Sequence, residues 1–196
     1  YVTEGSVIDK EAVKRATSIY LVDRTIPMLP ERLCNFICSL RPDEDKLAYS
    51  VIFTLDDEAN VKTYRIVHTI IRSKRRYAYE EVQQLLEENG VVDGTGEPAP
   101  VPKNGKYKGE NAEQLITLDR LAKALRKKRF EHGAVKFDRE ELHFDVDETG
   151  KPTRCYFKRS HDANKLIEEF MLLANKTVAE SIGKAKKGRK AKTLPY

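Results

Sequence analysis

Cys34 and Cys38 stand four residues apart, a spacing that turns both thiols to one side of a helical turn and could offer a metal two soft ligands. Zinc needs two more, and no neighbouring His or Cys pair supplies them, so core packing is the expectation for both cysteines. Asp145, Asp147, Thr149 and Gly150 imitate the start of a calcium loop, but Tyr156 stands where the closing acid belongs and Pro152 interrupts; the stretch reads as a hairpin turn. Gly94-Thr95-Gly96-Glu97-Pro98-Ala99 satisfies a dinucleotide-binding pattern. It follows no strand, and its prolines cannot open the helix that would receive a pyrophosphate. Glu168 and Glu169 point about 100° apart around a helix and cannot form a paired acid site by themselves. Asp43-Glu44-Asp45 and Asp56-Asp57-Glu58 fall in polar turns. The four histidines, His68, His132, His143 and His161, are scattered, and each reads as structural or surface. From residue chemistry alone, no complete active site is present.

The elements that must position these residues follow from periodicity. Ser6-Val7-Ile8-Asp9 has the form of a capping box, predicting a short helix from about Asp9 to Ser18. Leu47 to Leu55 alternates as a strand with Leu47, Tyr49, Val51, Phe53 and Leu55 on one face, and Thr63 to Ser73 returns as its partner. Tyr79 to Glu88 is helical and closes at Asn89-Gly90. Residues 91–110 hold glycines and prolines with little to bury, which predicts a flexible loop. A helix from Asn111 to Glu131 carries Leu115, Leu118, Leu121, Ala122 and Leu125 on one face. Strands Glu140 to Asp147 and Thr153 to Lys158 flank a turn. A final helix, His161 to Ile182, should bury Leu166, Ile167, Phe170, Met171, Ala174, Val178 and Ile182. Between the first helix and the sheet, the prolines of "DRTIPMLPERLCNFICSLRP" stop regular structure, and Met28, Leu29, Leu33, Phe36 and Ile37 can pack the connection. The fold class is α+β, a mostly antiparallel sheet packed by helices with the last helix central.

Composition suits one core-forming domain or part of one, with 40% hydrophobic and 34% charged residues among 196. Three cysteines, odd and sparse, argue for a reducing compartment, and no apolar run reaches the roughly 20 residues of a membrane span. A cytoplasmic setting is expected. The chain opens at Tyr1 without an initiator Met and stops just after a lysine run, which reads as a piece of something longer. The net charge of +5 gathers in Arg72-Ser73-Lys74-Arg75-Arg76, in Arg126-Lys127-Lys128-Arg129 and in a basic tail, residues 184–196. Any one such run is ordinarily a solvated face or helix end; three together favour a polyanion partner.

The segment "GSVIDKEAVKRATSIYLVDRTIPMLPERLCNFICSLRP", followed in order by "AYEEVQQLL", "GAVKFDREELHFDVDETGKP" and "HDANKLIEEFMLLANKTVAESI", closely resembles the RNB catalytic domain of the ribonuclease II / ribonuclease R family. The likeness spans nearly all of residues 1–196 apart from the Gly/Pro loop and the basic tail. It implies an incomplete RNB domain. It further implies a processive 3′-to-5′ hydrolytic exoribonuclease, a parent protein that uses magnesium to degrade single-stranded RNA to nucleoside monophosphates. In the family's order the metal-binding aspartates come just before the residues matching Tyr1, and the catalytic arginine lies beyond Tyr196. The expectation is therefore an inactive stretch that binds no Mg2+ by itself, needs flanking parts of the parent protein, and carries part of the RNA channel.

Carried over residue by residue, the resemblance implies that Tyr20 in "TSIY" stacks near the RNA 3′ end and that Phe137 in "AVKFD" clamps bases at the other end of the bound stack. It implies that Tyr79 in "YAYEEV" and Glu168 in "KLIEEF" touch the terminal nucleotides and distinguish ribose from deoxyribose. The residue types agree, since aromatic faces stack bases without regard to sequence and a carboxylate accepts a 2′-hydroxyl hydrogen bond. Such aromatics serve equally as core, and Glu168 flanks its helix's apolar stripe as an ordinary boundary residue would. The run from Arg72 to Arg76 could contact phosphates. Two other readings stay open: a non-catalytic RNA-binding module of the same family, and a protein-interaction domain with an incidental basic surface.

Overall fold

The computed structural model describes residues 1–135 and 141–183. In chain order the elements are α1 (Val7–Arg15), β1 (Ile19–Tyr20), β2 (Thr25–Ile26), a π-type turn (Arg32–Ile37), β3 (Asp45–Leu55) and β4 (Val61–Arg72). They continue with α2 (Tyr79–Glu88), α3 (Ala112–Glu131), β5 (Glu141–Val146), β6 (Pro152–Lys158) and α4 (Asp162–Gly183). The class is α+β, but the described strands form three separate two-stranded ribbons, β1–β2, β3–β4 and β5–β6. Contacts divide the chain into two units.

The first unit comprises Tyr1–Ala48, His68–Arg76 and residues 141–159. Helix α1 starts with one half of the predicted capping box: Asp9 N donates to Ser6 Oγ at 3.2 Å, whereas Asp9 Oδ2 accepts from Gly5 N at 2.8 Å, one residue before the cap, and Ser6 N donates to Thr3 O. It stops earlier than Ser18, because Ala16 turns left-handed at φ 61° and its N–H closes on Ala12 O. In the connection that follows, Met28, Leu29, Leu33 and Cys34 are half-buried, whereas Phe36, Ile37 and Cys38 are exposed. Core packing therefore fails for Cys38: the wide turn, closed by Cys38 N onto Leu33 O at 2.8 Å, seats only Leu33 and Cys34, whose Sγ donates to Leu29 O. The Asp147 turn is confirmed, since Asp147 Oδ1 accepts from Thr149 N, Thr149 Oγ1 and Lys151 N.

Burial along β3 corrects the single-face reading. Lys46, Ala48 and Ser50 face inward, then Val51, Phe53 and Leu55 do, leaving Leu47 and Tyr49 exposed. β4 is exposed from Val61 to Arg65 and alternates only from Val67 on, with Val67, Thr69 and Ile71 inward. The change in β3 falls close to the division between the two units, at Ala48–Tyr49.

The second unit comprises Tyr49–Val67 with residues 77–135 and 160–183. Its three helices gather around Leu86, Val91 and Ile116, with Val82, Ala99 and Tyr107 packed on them. Helix α2 begins with Ala78 N donating to Glu81 Oε2 at 2.7 Å and ends at Gly90, left-handed at φ +88°, after which Val91 N returns to Leu86 O. A Cβ at Gly90 would lie 2.8 Å from Pro100 Cγ, so the loop packs directly on the cap. Residues 91–110 hold no regular element, but the reading that they have little to bury is corrected. Val91 is core, Asn89 Nδ2 donates to Lys108 O, and Lys123 Nζ donates to Glu97 O.

The buried lines of α3 and α4 also differ from the leucine stripes. On α3 the line is Ala112, Ile116, Asp119 and Ala122; of the predicted stripe Ala122 is buried, Leu115, Leu121 and Leu125 are half-buried, and Leu118 is exposed. On α4 it is Asp162, Ala163, Leu166 and Glu169, with Ile167, Met171 and Ile182 exposed. Charged side chains occupy the facing lines because they pair with one another, as described below. The α4 N-terminus is satisfied by imported acceptors: Asp162 N donates to Asp93 Oδ1 at 2.8 Å and Ala163 N to Gln83 Oε1 at 3.1 Å. Among the described residues no helix is long and apolar enough to cross a membrane.

Leu86→Ala should cost about 2–5 kcal/mol in urea unfolding, since its side chain is fully buried, whereas Leu118→Ala on the exposed face should cost under about 1 kcal/mol. Equal costs would contradict the assignment of the core.

Candidate nucleic-acid interface

The strongest electrostatic feature of the second unit joins α3 to α4. Arg129 Nη2 donates to Glu169 Oε1 at 2.5 Å and Arg129 Nε to Glu169 Oε2 at 3.1 Å, a two-pronged pair, and Arg126 Nη1 adds a bond to Glu169 Oε1 at 3.0 Å. The Glu169 side chain is 3% exposed. Both guanidiniums lie over the Phe130 ring, at 5.1 and 5.0 Å from its centroid. The hydrogen bonds to Glu169 raise the Arg129 pKa still further, so its charge is permanent.

Glu168 meets the same two arginines from outside. Its side chain is 47% exposed, and Oε1 accepts from Arg129 Nη2 at 3.1 Å and, more distantly, from Arg126 Nη1 at 3.5 Å. Among the described residues Oε2 accepts no hydrogen bond, which leaves it open to a donor from solvent or ligand. The two neighbouring acids thus have different uses. Glu169 fastens the helices and lines a cleft of about 610 Å³ with Leu125, Leu172, Lys128 and Lys176, while Glu168 presents a free acceptor.

A second charge network lies further along the same helices, around a cavity of about 60 Å³. Lys123 Nζ donates to Asp119 Oδ2 at 2.7 Å and faces Asp162 Oδ2 at 3.2 Å, an ion pair outside hydrogen-bond alignment. Asp162 Oδ1 accepts from Lys165 Nζ at 3.0 Å and from Gly94 N at 3.1 Å. The glycine of the apparent dinucleotide pattern thus binds a protein carboxylate. Burial pushes the Asp119 carboxyl up against the opposing pull of Lys123. Burial pushes Asp162 the same way, but the Lys165 bond, the charges of Lys123 and Lys165 and the Gly94 N–H outweigh it, and the net direction is down.

The residues singled out from the sequence lie as follows. Tyr20, in the first unit, pairs with Thr25 at the short β1–β2 ribbon and is 80% exposed, so it is not core. Tyr79 is the first residue of α2 and 44% exposed. Tyr79 and Glu168 share the second unit, whereas Tyr20 belongs to the first. Phe137 lies outside the described residues, as does the basic tail. Of the other basic runs, Arg72 is paired to Asp45 at 2.7 Å, and Arg126 to Arg129 is largely internal: its arginines hold the two glutamates and Lys128 Nζ donates to Glu58 O. The pairing of Arg126 and Arg129 with Glu169 over Phe130 escaped the sequence reading, which saw only a basic run and an unpaired acid. Its signal was the i, i+3 spacing of the arginines and an acid three residues after Leu166 on the inward line.

Two helices locked by a buried carboxylate–guanidinium cluster, with Glu168 presenting an outward acceptor beside it, are the polar centre of an α+β chain. The RNB domain model matches residues 1–191. The chain is 42% identical to DIS3-like exonuclease 2 of Schizosaccharomyces pombe over 94% of its own length, and 42% identical to ribonuclease R of Aquifex aeolicus over 91%. It spans 20% and 24% of those relatives' lengths. Ribonuclease R of Mycoplasma genitalium, solved with ribose-methylated single-stranded RNA, superposes with a TM-score of 0.77 at 28% identity, covering 93% of this chain and 26% of that one. The chain belongs to the RNB-domain family, that of ribonucleases II and R.

The family implies magnesium, and the described residues do not fit it. The buried acids that share a cavity, Asp119, Asp162 and Glu169, are matched by Lys123, Lys165, Arg126 and Arg129, whereas a hard dication needs carboxylate oxygens for itself. Among the described residues no group of three His, Cys, Asp or Glu side chains is placed to hold a metal ion.

The Asp162 pairing makes stability pH-dependent. Folding lowers this group's proton affinity, so its contribution is fully present above the ordinary aspartate value of 3.8 and is lost as pH falls through the lower folded value. The advantage of the wild type over Asp162→Asn in urea midpoint should therefore shrink as pH is lowered from 6 toward 3. For Asp119, whose folded value is raised, the comparison with Asp119→Asn should move in the opposite sense. A constant gap in both series would contradict the assignment.

Proposed function

We propose that these residues form part of the RNA channel of a processive 3′-to-5′ hydrolytic exoribonuclease that degrades single-stranded RNA to nucleoside monophosphates in the cytoplasm. The observation that carries this reading is the RNB-domain match over residues 1–191. The RNA bound to the Mycoplasma genitalium relative supports the ligand class.

In this reading the chain's own residues bind and orient. The exposed Tyr20 ring stacks on a base near the 3′ end, and Tyr79 and Glu168 contact terminal nucleotides, Glu168 accepting a ribose hydroxyl at Oε2. Phe137 is assigned the clamp at the far end of the stack. Magnesium-binding aspartates and the catalytic arginine belong to other segments of a longer parent, so these residues alone bind RNA without cutting it. The short share of the relatives' lengths and the engagement of the buried acids by lysines and arginines both support that division.

The chain should bind a single-stranded oligoribonucleotide with an affinity that falls as salt rises, and should leave it intact in magnesium. Tyr20→Ala should weaken binding by roughly 1–3 kcal/mol, the worth of one stacked base, while shifting the unfolding midpoint little. Fluorescence anisotropy with a gel assay of the recovered RNA reads both. Salt-independent or absent binding would favour a protein-interaction domain, and RNA decay by the pure chain would overturn the division of labour.

A further inference from the structure

Discrimination by one surface glutamate needs more than its presence, since a free side chain samples many rotamers and must be ordered on binding. The structure shows what orders this one. Arg129 cannot follow Glu168, because its Nε and Nη2 are fixed on the two oxygens of buried Glu169 and its guanidinium rests over Phe130. Glu168 therefore comes to Arg129, and its Oε1 is taken by Arg129 Nη2, with Arg126 Nη1 beyond. Saturating Oε1 turns Oε2 outward as the oxygen available to an incoming donor.

We infer that Arg129, with Arg126 beside it, is a positioning residue for ribose selection: through the Glu169 anchor it fixes Glu168 so that Oε2 is the acceptor offered to a 2′-hydroxyl. The inference rests on the proposed role of Glu168 and adds the device that makes it selective. A lysine at 129 would keep the charge but not the fork that spans Glu169 and Glu168 together. Arg129 touches no ligand in this account and acts only through Glu168.

The test compares single-stranded RNA and DNA of one sequence, binding to wild type, Arg129→Lys, Glu168→Ala and the double variant, with an unfolding midpoint for each. The wild type should favour RNA by about tenfold, the scale of one hydrogen bond to a charged group. Arg129→Lys should bring the ratio near that of Glu168→Ala while changing DNA affinity less than about twofold, and the double variant should lose nothing more. If Arg129→Lys fails to fold, Arg126→Lys, which removes the Nη1 donor shared by the two glutamates and spares Glu169's two-pronged pair, is read in the same way and should lower the ratio partly. Equal weakening of RNA and DNA, an unchanged ratio, or effects that multiply in the double variant would overturn the inference. A wild type that does not discriminate would overturn the role of Glu168, and the positioning with it; a discriminating wild type with an unaltered Arg129→Lys overturns the positioning alone.

Discussion

Glu169 is an ionisable carboxylate taken almost wholly out of water between α3 and α4, and the arrangement of the second unit depends on how that burial is compensated. Removing a carboxylate from water costs several kcal/mol, which only close, well-directed donors on both oxygens offset. Arg129 supplies one to each oxygen and Arg126 supplies another. Because the donors sit at i and i+3 on α3 and the acceptor on α4, the pairing fixes both the rotation and the register of the two helices. A leucine contact would tolerate sliding; this contact does not.

The same logic explains the second network. Asp119, Lys123, Asp162 and Lys165 neutralise one another along the α3–α4 seam, and the loop after α2 is drawn into it through Gly94 N and Glu97 O. Asp93 of that loop accepts from the first N–H of α4 and from His161, placing a negative charge at the positive end of the helix. A segment without regular structure is thus tied at several polar points and at apolar ones, Val91, Ala99 and Tyr107.

Much of this was legible in the sequence wherever local signals are strong. Helix α2 runs from Tyr79 to Glu88 as its periodicity and Asn89-Gly90 cap indicate, and the Asp147 turn follows from its residue types. What was not legible has one cause. Apolar periodicity assumes that the buried face is the oily one, and on α3 and α4 the most buried line holds Asp119, Asp162 and Glu169. Partners for these acids come from elements distant in sequence, so no local pattern announces them. The phase change in β3 was hidden for a related reason, because alternation reveals a buried face only when the whole strand packs against one body. Of the site residues, Tyr20 and Glu168 are exposed where a ligand-contacting role needs them, while the open oxygen of Glu168 could be seen only with Arg129 in place.

In the proposed role Glu168 is a fixed acceptor for one ribose rather than part of a general charged surface. The most direct measurement is a deoxy scan: a single 2′-deoxynucleotide is walked through an oligoribonucleotide and the affinity of the chain is measured at each position. A loss confined to one or two positions at the 3′ end, and erased by Glu168→Ala, is the predicted result. A loss spread evenly along the strand, or one that survives Glu168→Ala, would contradict it.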